Sequence, residues 1–283
     1  MSTVAPTTTV DIDAYLHRLG LAHRPPPTLE TLRDLQLRHV ATFPFETLAT
    51  AVGAPVDLSP AALSTKILTG RRGGYCYELN GLFLWLLQAL GFDARPLTGW
   101  VVIGAAPDDW ESHARTHQLT LVHLDGARHI TDVGLGGMVP TGPLLLDGTG
   151  LQATPHEHYS VTPVPTSVTT RYLLRQHLGD TARPLYVFDL AEQRTVDLHT
   201  GNWYVSTHPD SPFRGAVMAA RAEPGRRHVL AGADYAVHRV GAATERRALT
   251  SVEEIVRVLD DAFGIDVGDD AAVRAVLAAQ LAD

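Results

Sequence analysis

The chain has one cysteine in 283 residues, Cys76, so no internal disulfide can form and no cysteine cluster can hold a metal. It also lacks a long apolar run. The most apolar stretch, Leu82-Phe83-Leu84-Trp85-Leu86-Leu87 and its neighbours, falls far short of the ~20 residues that a membrane-spanning helix needs. The opening residues Met1-Ser2-Thr3-Val4-Ala5-Pro6 have neither the charged nor the apolar region of a secretory signal. Together these absences predict a cytoplasmic protein with no membrane partner. Positive charge is scarce as well: 23 Lys and Arg against 31 Asp and Glu leave a net charge of -8, which argues against a general affinity for nucleic acid. The doublets Arg71-Arg72, Arg226-Arg227 and Arg246-Arg247 remain as local basic spots, each read most simply as solvated surface charge. There is no internal repeat, and low complexity is confined to the Thr- and Pro-rich first ten residues, which are expected to be loose.

The rest reads as folded. Asp11 to Leu19, followed by Gly20, predicts a short helix with a glycine stop, and Thr28 to Val40 predicts a second, with leucines at 29, 32, 35 and 37. Leu79 to Leu90 is apolar on nearly every side and ends at Gly91, the pattern of a helix buried all round. From about Arg95 to Thr207, short alternating runs broken by Gly, Pro and Asp-Gly give β-sheet or barrel composition. The end carries a strand-like run at Tyr235 to Val240, a capping box at Ser251-Val252-Glu253-Glu254 and an Ala-rich helix from about Asp270 to Leu281. The fold class expected is α+β, with residues 1–93 helical, 94–207 a β-barrel and 208–283 a mixed α/β unit.

Cys76 sits where the glycine-rich turn Arg72-Gly73-Gly74-Tyr75 runs into the buried helix. Free backbone N–H groups and the positive end of a helix dipole favour an anion there, so a lowered thiol pKa and a nucleophilic role are expected. A cysteine nucleophile needs a base, and the base needs an acceptor that orients it. Fourteen histidines compete for that role. Asp125-Gly126 between two alternating runs is a two-residue hairpin turn, which pairs Leu124 with Ala127 and sets Leu119 opposite Asp132. His117 and Leu119 share a face, so Asp132 becomes the diagonal neighbour of His117, with Cβ atoms roughly 7 Å apart or less. Taken alone, such a pair is as readily a surface pair. Its conjunction with Cys76 makes Cys76, His117 and Asp132 the candidate catalytic residues.

With those residues in place, the chain resembles the arylamine N-acetyltransferases over most of its length, from about Asp11 to Val240. The resemblance is carried by Phe43-Pro44-Phe45-Glu46-Thr47-Leu48, by Arg72 to Asn80, by Thr116-His117 with Thr131-Asp132-Val133-Gly134, and by Asn202 to Phe213. It implies a papain-like cysteine-transferase core with an N-terminal helical domain, a middle β-barrel and a C-terminal α/β lid. It further implies acetyl-CoA as acyl donor, a ping-pong mechanism through a Cys76 thioester, and a small aromatic amine or hydrazine as acceptor, with no metal. Thr116, Gly134, Leu135 and Gly136 are implied as CoA contacts, and Phe45 and Phe213 as lining for the acceptor ring. Arg72 and Glu46 are expected to pair beneath the site.

Two departures stand out. Leu135 replaces the phenylalanine common in the family, and Gly104-Ala105-Ala106-Pro107-Asp108-Asp109-Trp110-Glu111 is a lengthened loop before the histidine. Four alternatives stay open: an amide synthase of the same fold that joins a polyketide or other acyl thioester to an amine, a cysteine amidohydrolase or peptidase, a binding protein with an inert triad, and a zinc site, which strand alternation at His117 disfavours. A homo-oligomeric state is also open.

Overall fold

The computed structural model describes residues 10–105, 109–166 and 169–282. Of the Thr- and Pro-rich opening only Val10 is included, and Ala106, Pro107 and Asp108 of the lengthened loop lie outside the described residues. Capping chemistry sets the first two helices. Ile12–Arg18 begins where the Asp11 side chain accepts from the Ala14 N–H, and its exit turn contains Gly20 at φ 74°. Leu29–Thr42 begins where Thr28 accepts from the Thr31 N–H, and it buries Leu32, Leu35, Gln36, His39 and Val40.

The next long helix, Cys76–Ala89, starts one turn earlier than its apolar pattern suggests. The reason is local: Glu78 Oε2 accepts from the Tyr75 N–H at 3.1 Å, half of a capping box, and so fixes the start at the cysteine. Leu79, Leu82, Phe83, Leu86 and Leu87 are fully buried, so this helix lies at the centre of the larger hydrophobic core.

Two antiparallel sheets surround it. The larger has eight strands in the order Leu144–Leu145, Ala127–Thr131, Arg115–Leu124, Asp93–Val101, Thr181–Phe188, Thr170–Leu178, His158–Pro165, Gln152–Ala153. Leu144–Leu145 at one edge also contacts His158–Pro165 near the other, so the sheet curls into a nearly closed barrel. The smaller sheet runs Phe45–Glu46, Met218–Glu223, Arg226–Ala231, Asp234–Arg239, Glu245–Ala248. Its edge strand comes from the N-terminal part of the chain. A second core, holding Leu230, Ile255, Leu259 and Phe263, lies between that sheet and the helices Val252–Phe263 and Ala271–Ala279. Among the described residues no helix is long and apolar enough to cross a membrane.

The structure departs from the sequence expectation in one place. Thr195–Thr207 lies inside the stretch read as strands but is a helix. Thr195-Val196-Asp197-Leu198-His199 alternates like a strand, yet Asp197 caps the Arg194 N–H at 3.0 Å and the buried Asn202 donates to the Val56 carbonyl at 2.9 Å. Capping and tertiary contacts override the period-two pattern there. Met218–Glu223 and Arg226–Ala231 are strands in segments of alanine and arginine that carry little β propensity.

The turn before Cys76 is held from below by buried charge. Glu46 on the edge strand accepts from Arg72 Nε at 3.0 Å and from the Leu48 N–H at 2.7 Å. Lys66, the only lysine in the chain, donates to Glu78 at 2.7 Å and lies 3.8 Å from Glu46. The Arg72–Glu46 pair expected from sequence is therefore present, and Lys66 joins it to Glu78. Burial opposes the charge on Glu46, but Lys66 and Arg72 outweigh it and hold the carboxyl below its usual range. Removing one member of such a cluster leaves its partners buried and uncompensated, so Lys66→Met is expected to destabilise the fold by about 3–5 kcal/mol. Urea denaturation measures this.

Candidate active site

Cys76 is the first residue of its helix and 3% exposed, with Sγ 3.6 Å from the Thr116 carbonyl oxygen. His117 follows Thr116 on the Arg115–Leu124 strand. The hairpin has the register that its turn dictates: Leu124 pairs with Ala127 and Thr120 with Thr131, through Asp125 at φ 52° and Gly126 at φ 77°. Asp132 lies one residue past the end of the second strand and turns back beneath the histidine. His117 Nε2 donates to Asp132 Oδ2 at 2.7 Å, and both side chains are buried. With Nε2 engaged, Nδ1 is the ring nitrogen left to serve the Cys76 thiol, which lines the same cleft and lies close enough to favour charge on the imidazole.

Sequence reasoning missed two residues that hold this arrangement. Asn80 donates to Asp132 Oδ1 at 3.0 Å and to the Gln118 carbonyl at 2.6 Å, and accepts from the Val133 N–H at 3.0 Å. It ties the cysteine helix to both strands of the hairpin. Its spacing of four from Cys76, which puts both on one helix face, is the signal that could have found it. Tyr186 is fully buried, with its ring 4.8 Å from the His117 ring. Burial and the Asp132 carboxylate both raise its pKa, so the hydroxyl stays protonated. Tyr186 comes from the Thr181–Phe188 strand, and no local pattern links it to His117.

These groups open onto a cleft of about 380 Å³ lined by Cys76, Thr116, His117, Gly134, Leu135, Gly136, Phe45 and Phe213. The structure thus brings together every residue proposed from sequence, with Asp132 behind the histidine. The backbone after Asp132 passes very close to the cysteine: a Cβ added at Gly134 would lie 2.7 Å from Cys76 Cα and 2.8 Å from Asn80 Nδ2, which only glycine avoids. Gly134 N–H donates to Asp132 Oδ1 at 2.9 Å. Phe45 and Phe213 meet edge to face across the cleft, centroids 6.1 Å apart. Among the described residues no group of three or more His, Cys, Asp and Glu is placed to hold a metal ion.

Charge in the triad is settled by competition. Burial disfavours the His117 imidazolium, but the Asp132 carboxylate outweighs it, and the pKa is raised to about 10. Burial likewise opposes the Asp132 carboxylate, and His117 together with the donors Asn80 and Gly134 N–H hold it below its usual range. The histidine's contribution to stability is complete below its unfolded value of about 6.5 and is lost as pH rises through about 10. Stability should therefore fall with pH across that window, and Asp132→Asn should flatten the fall. Urea midpoints from pH 6 to 10 test both.

Comparison with known proteins gives a single answer. Residues 28–272 match the family model described as N-acetyltransferase. The curated arylamine N-acetyltransferase of Mycolicibacterium smegmatis is 41% identical over 263 residues, covering 92% of this chain and 94% of that protein. A crystal structure of the M. smegmatis enzyme superposes with a TM-score of 0.89 at 38% identity, covering 97% of this chain and 100% of that one. The Mycobacterium marinum arylamine N-acetyltransferase in complex with CoA superposes with a TM-score of 0.86 at 39% identity, over 96% of this chain and 98% of that one. A buried cysteine, histidine and aspartate on this fold, with likeness along nearly the whole chain, place the protein in the arylamine N-acetyltransferase family.

Proposed function

We propose that the cleft transfers an acetyl group from acetyl-CoA to a small aromatic amine or hydrazine, by a ping-pong route through a thioester on Cys76. The observation that carries this reading is a lone thiol at a helix start that shares the wall of an apolar cleft with a histidine hydrogen-bonded to a buried carboxylate.

In the first half-reaction Cys76 Sγ attacks the thioester carbonyl. A new C–S bond forms, the bond to CoA sulfur breaks, and His117 Nδ1 supplies the proton that CoA takes away. In the second, the amine nitrogen attacks the Cys76 thioester, the C–N bond forms as C–S breaks, and His117 accepts the amine's proton. Asp132 holds the ring in orientation and balances its charge throughout, as a triad carboxylate does. The N–H groups of the first turn of the Cys76–Ala89 helix are the donors for the oxyanion of each tetrahedral intermediate. Thr116 and the Gly134-Leu135-Gly136 turn form the donor side, where small residues let the pantetheine arm approach the backbone. Phe45 and Phe213 offer aromatic surface to the acceptor ring, and Leu135 lines the same cleft. Likeness to curated arylamine N-acetyltransferases favours acetyl transfer over amide synthesis.

Incubation with acetyl-CoA and no acceptor is expected to add one acetyl group to Cys76, seen by intact mass and peptide mapping, and none to Cys76→Ala. An added arylamine should discharge it. Asp132→Asn should slow acylation by about 10²–10⁴-fold. Wild-type protein that stays unmodified, or a Cys76→Ala variant that still turns over, overturns the reading. Rapid loss of the acetyl group in water alone marks a hydrolase.

A further inference from the structure

A separate cavity of about 400 Å³ lies on another side of the Cys76–Ala89 helix and shares no lining residue with the catalytic cleft. Tyr77, Gly81, Trp85 and Gln88, spaced four, four and three apart on one helix face, form one wall. The helix Thr195–Thr207 contributes Leu198 and His199, and the strand Arg115–Leu124 contributes Gln118. Side chains alternate along a strand, so Gln118 points away from His117, and cavity and cleft lie on opposite faces of that strand. An occupant of the cavity thus touches the residue after the nucleophile and the residue after the base.

Gly81 leaves a gap in the helix wall. A Cβ added there would find Gln118 Nε2 at 4.0 Å as its nearest neighbour beyond the helix backbone, an ordinary contact, whereas one at Gly134 collides. Glycine inside a helix lowers stability relative to alanine, and no close approach requires it here; what it provides is open space. Two buried polar groups border that space. Gln118 and Tyr77 are each 1% exposed, yet Gln118 Nε2 and the Tyr77 hydroxyl have no hydrogen-bond partner among the described residues. Buried donors left unpaired cost free energy unless a ligand or water meets them. Burial and the neighbouring Cys76 raise the Tyr77 pKa, so the phenol stays protonated. Neighbouring groups are already engaged. Gln193 accepts from Thr98 Oγ1 at 2.9 Å and Gln88 donates to the Ala94 carbonyl at 2.9 Å. Arg194, the one residue of fixed charge in the lining, holds Asp197 through Nε at 3.0 Å and Nη2 at 3.2 Å. An ionised ligand would find no free fixed countercharge and would lose its hydration. A neutral carboxamide carries both an acceptor and donors for a glutamine amide, and the Trp85 indole offers a flat apolar surface to a ring.

We propose that this cavity binds a neutral aromatic carboxamide, its carbonyl oxygen accepting from Gln118 Nε2 above Gly81 and its ring against Trp85. The site does not rest on the acetyl-transfer reading, since the catalytic cleft supplies none of its contacts.

Titration of the nitrogen-15-labelled protein with benzamide, followed by NMR at the Gln118 side-chain amide and the Trp85 indole, tests it. Wild-type protein and Phe213→Ala, a change in the catalytic cleft, should both show saturable shifts of these signals. Gly81→Leu, which fills the gap, should abolish binding. Gln118→Met keeps the length of the side chain and removes the donor, so it should weaken binding about fivefold. Because Gln118 Nε2 has no partner to lose, the urea midpoint of Gln118→Met should match or exceed that of wild-type protein, and this variant carries the test if Gly81→Leu does not fold. Benzoate at pH 7 should bind at least about tenfold more weakly than benzamide. Absence of saturable benzamide binding by wild-type protein overturns the proposal. So does binding that is unchanged in Gln118→Met, binding that is lost in Phe213→Ala but kept in Gly81→Leu, or benzoate that binds as tightly as benzamide.

Discussion

The buried ion pair between His117 and Asp132 is the constraint around which the structure is arranged. Moving a carboxylate and an imidazolium out of water costs several kcal/mol per ion, which their attraction offsets only with good geometry and further hydrogen bonds. Both conditions are met: one short bond joins the rings of charge, and Asn80 and the Gly134 N–H satisfy the second carboxylate oxygen. A pair held this tightly keeps the histidine charged at neutral pH beside the sulfur, which is what nucleophilic catalysis by a thiol needs.

That pair in turn determines what the surrounding elements must do. The Asp125-Gly126 turn sets the register that puts Asp132 beneath His117. Gly134 lets the next turn pass against the cysteine backbone, and Asn80 binds the helix to the hairpin so that sulfur and imidazole share one frame. Glu46, Lys66, Glu78 and Arg72 anchor the other side of the cysteine turn to the smaller sheet. The active site thus lies where helix, barrel and sheet meet, and a shift in any one of them moves a reacting group. Tolerance for such shifts is small, since a displacement of about 1 Å costs about 10²-fold in rate.

Much of this was legible in the residues, for reasons of range. Period-two alternation and a two-residue turn are local, so the partnership of His117 and Asp132 followed from arithmetic on a hairpin. The helix start at Cys76 followed from glycine next to an apolar run. What stayed hidden depends on contacts distant in sequence. Tyr186 reaches His117 from a strand about seventy residues on. Lys66 enters the buried cluster through a π-helical turn, Ser64–Thr69, with no sequence signal. Thr195–Thr207 imitates a strand until its caps and the buried Asn202 are seen.

The claim on which all else rests is that His117 is an imidazolium at neutral pH. Nitrogen-15 NMR of the ring across pH 5 to 11, with the Asp132→Asn variant as reference, reads its protonation state directly. The account predicts that both ring nitrogens stay protonated through pH 8 and that the proton is lost near pH 10. Titration near the free-histidine value of about 6.5, or a neutral ring at pH 7, would contradict it.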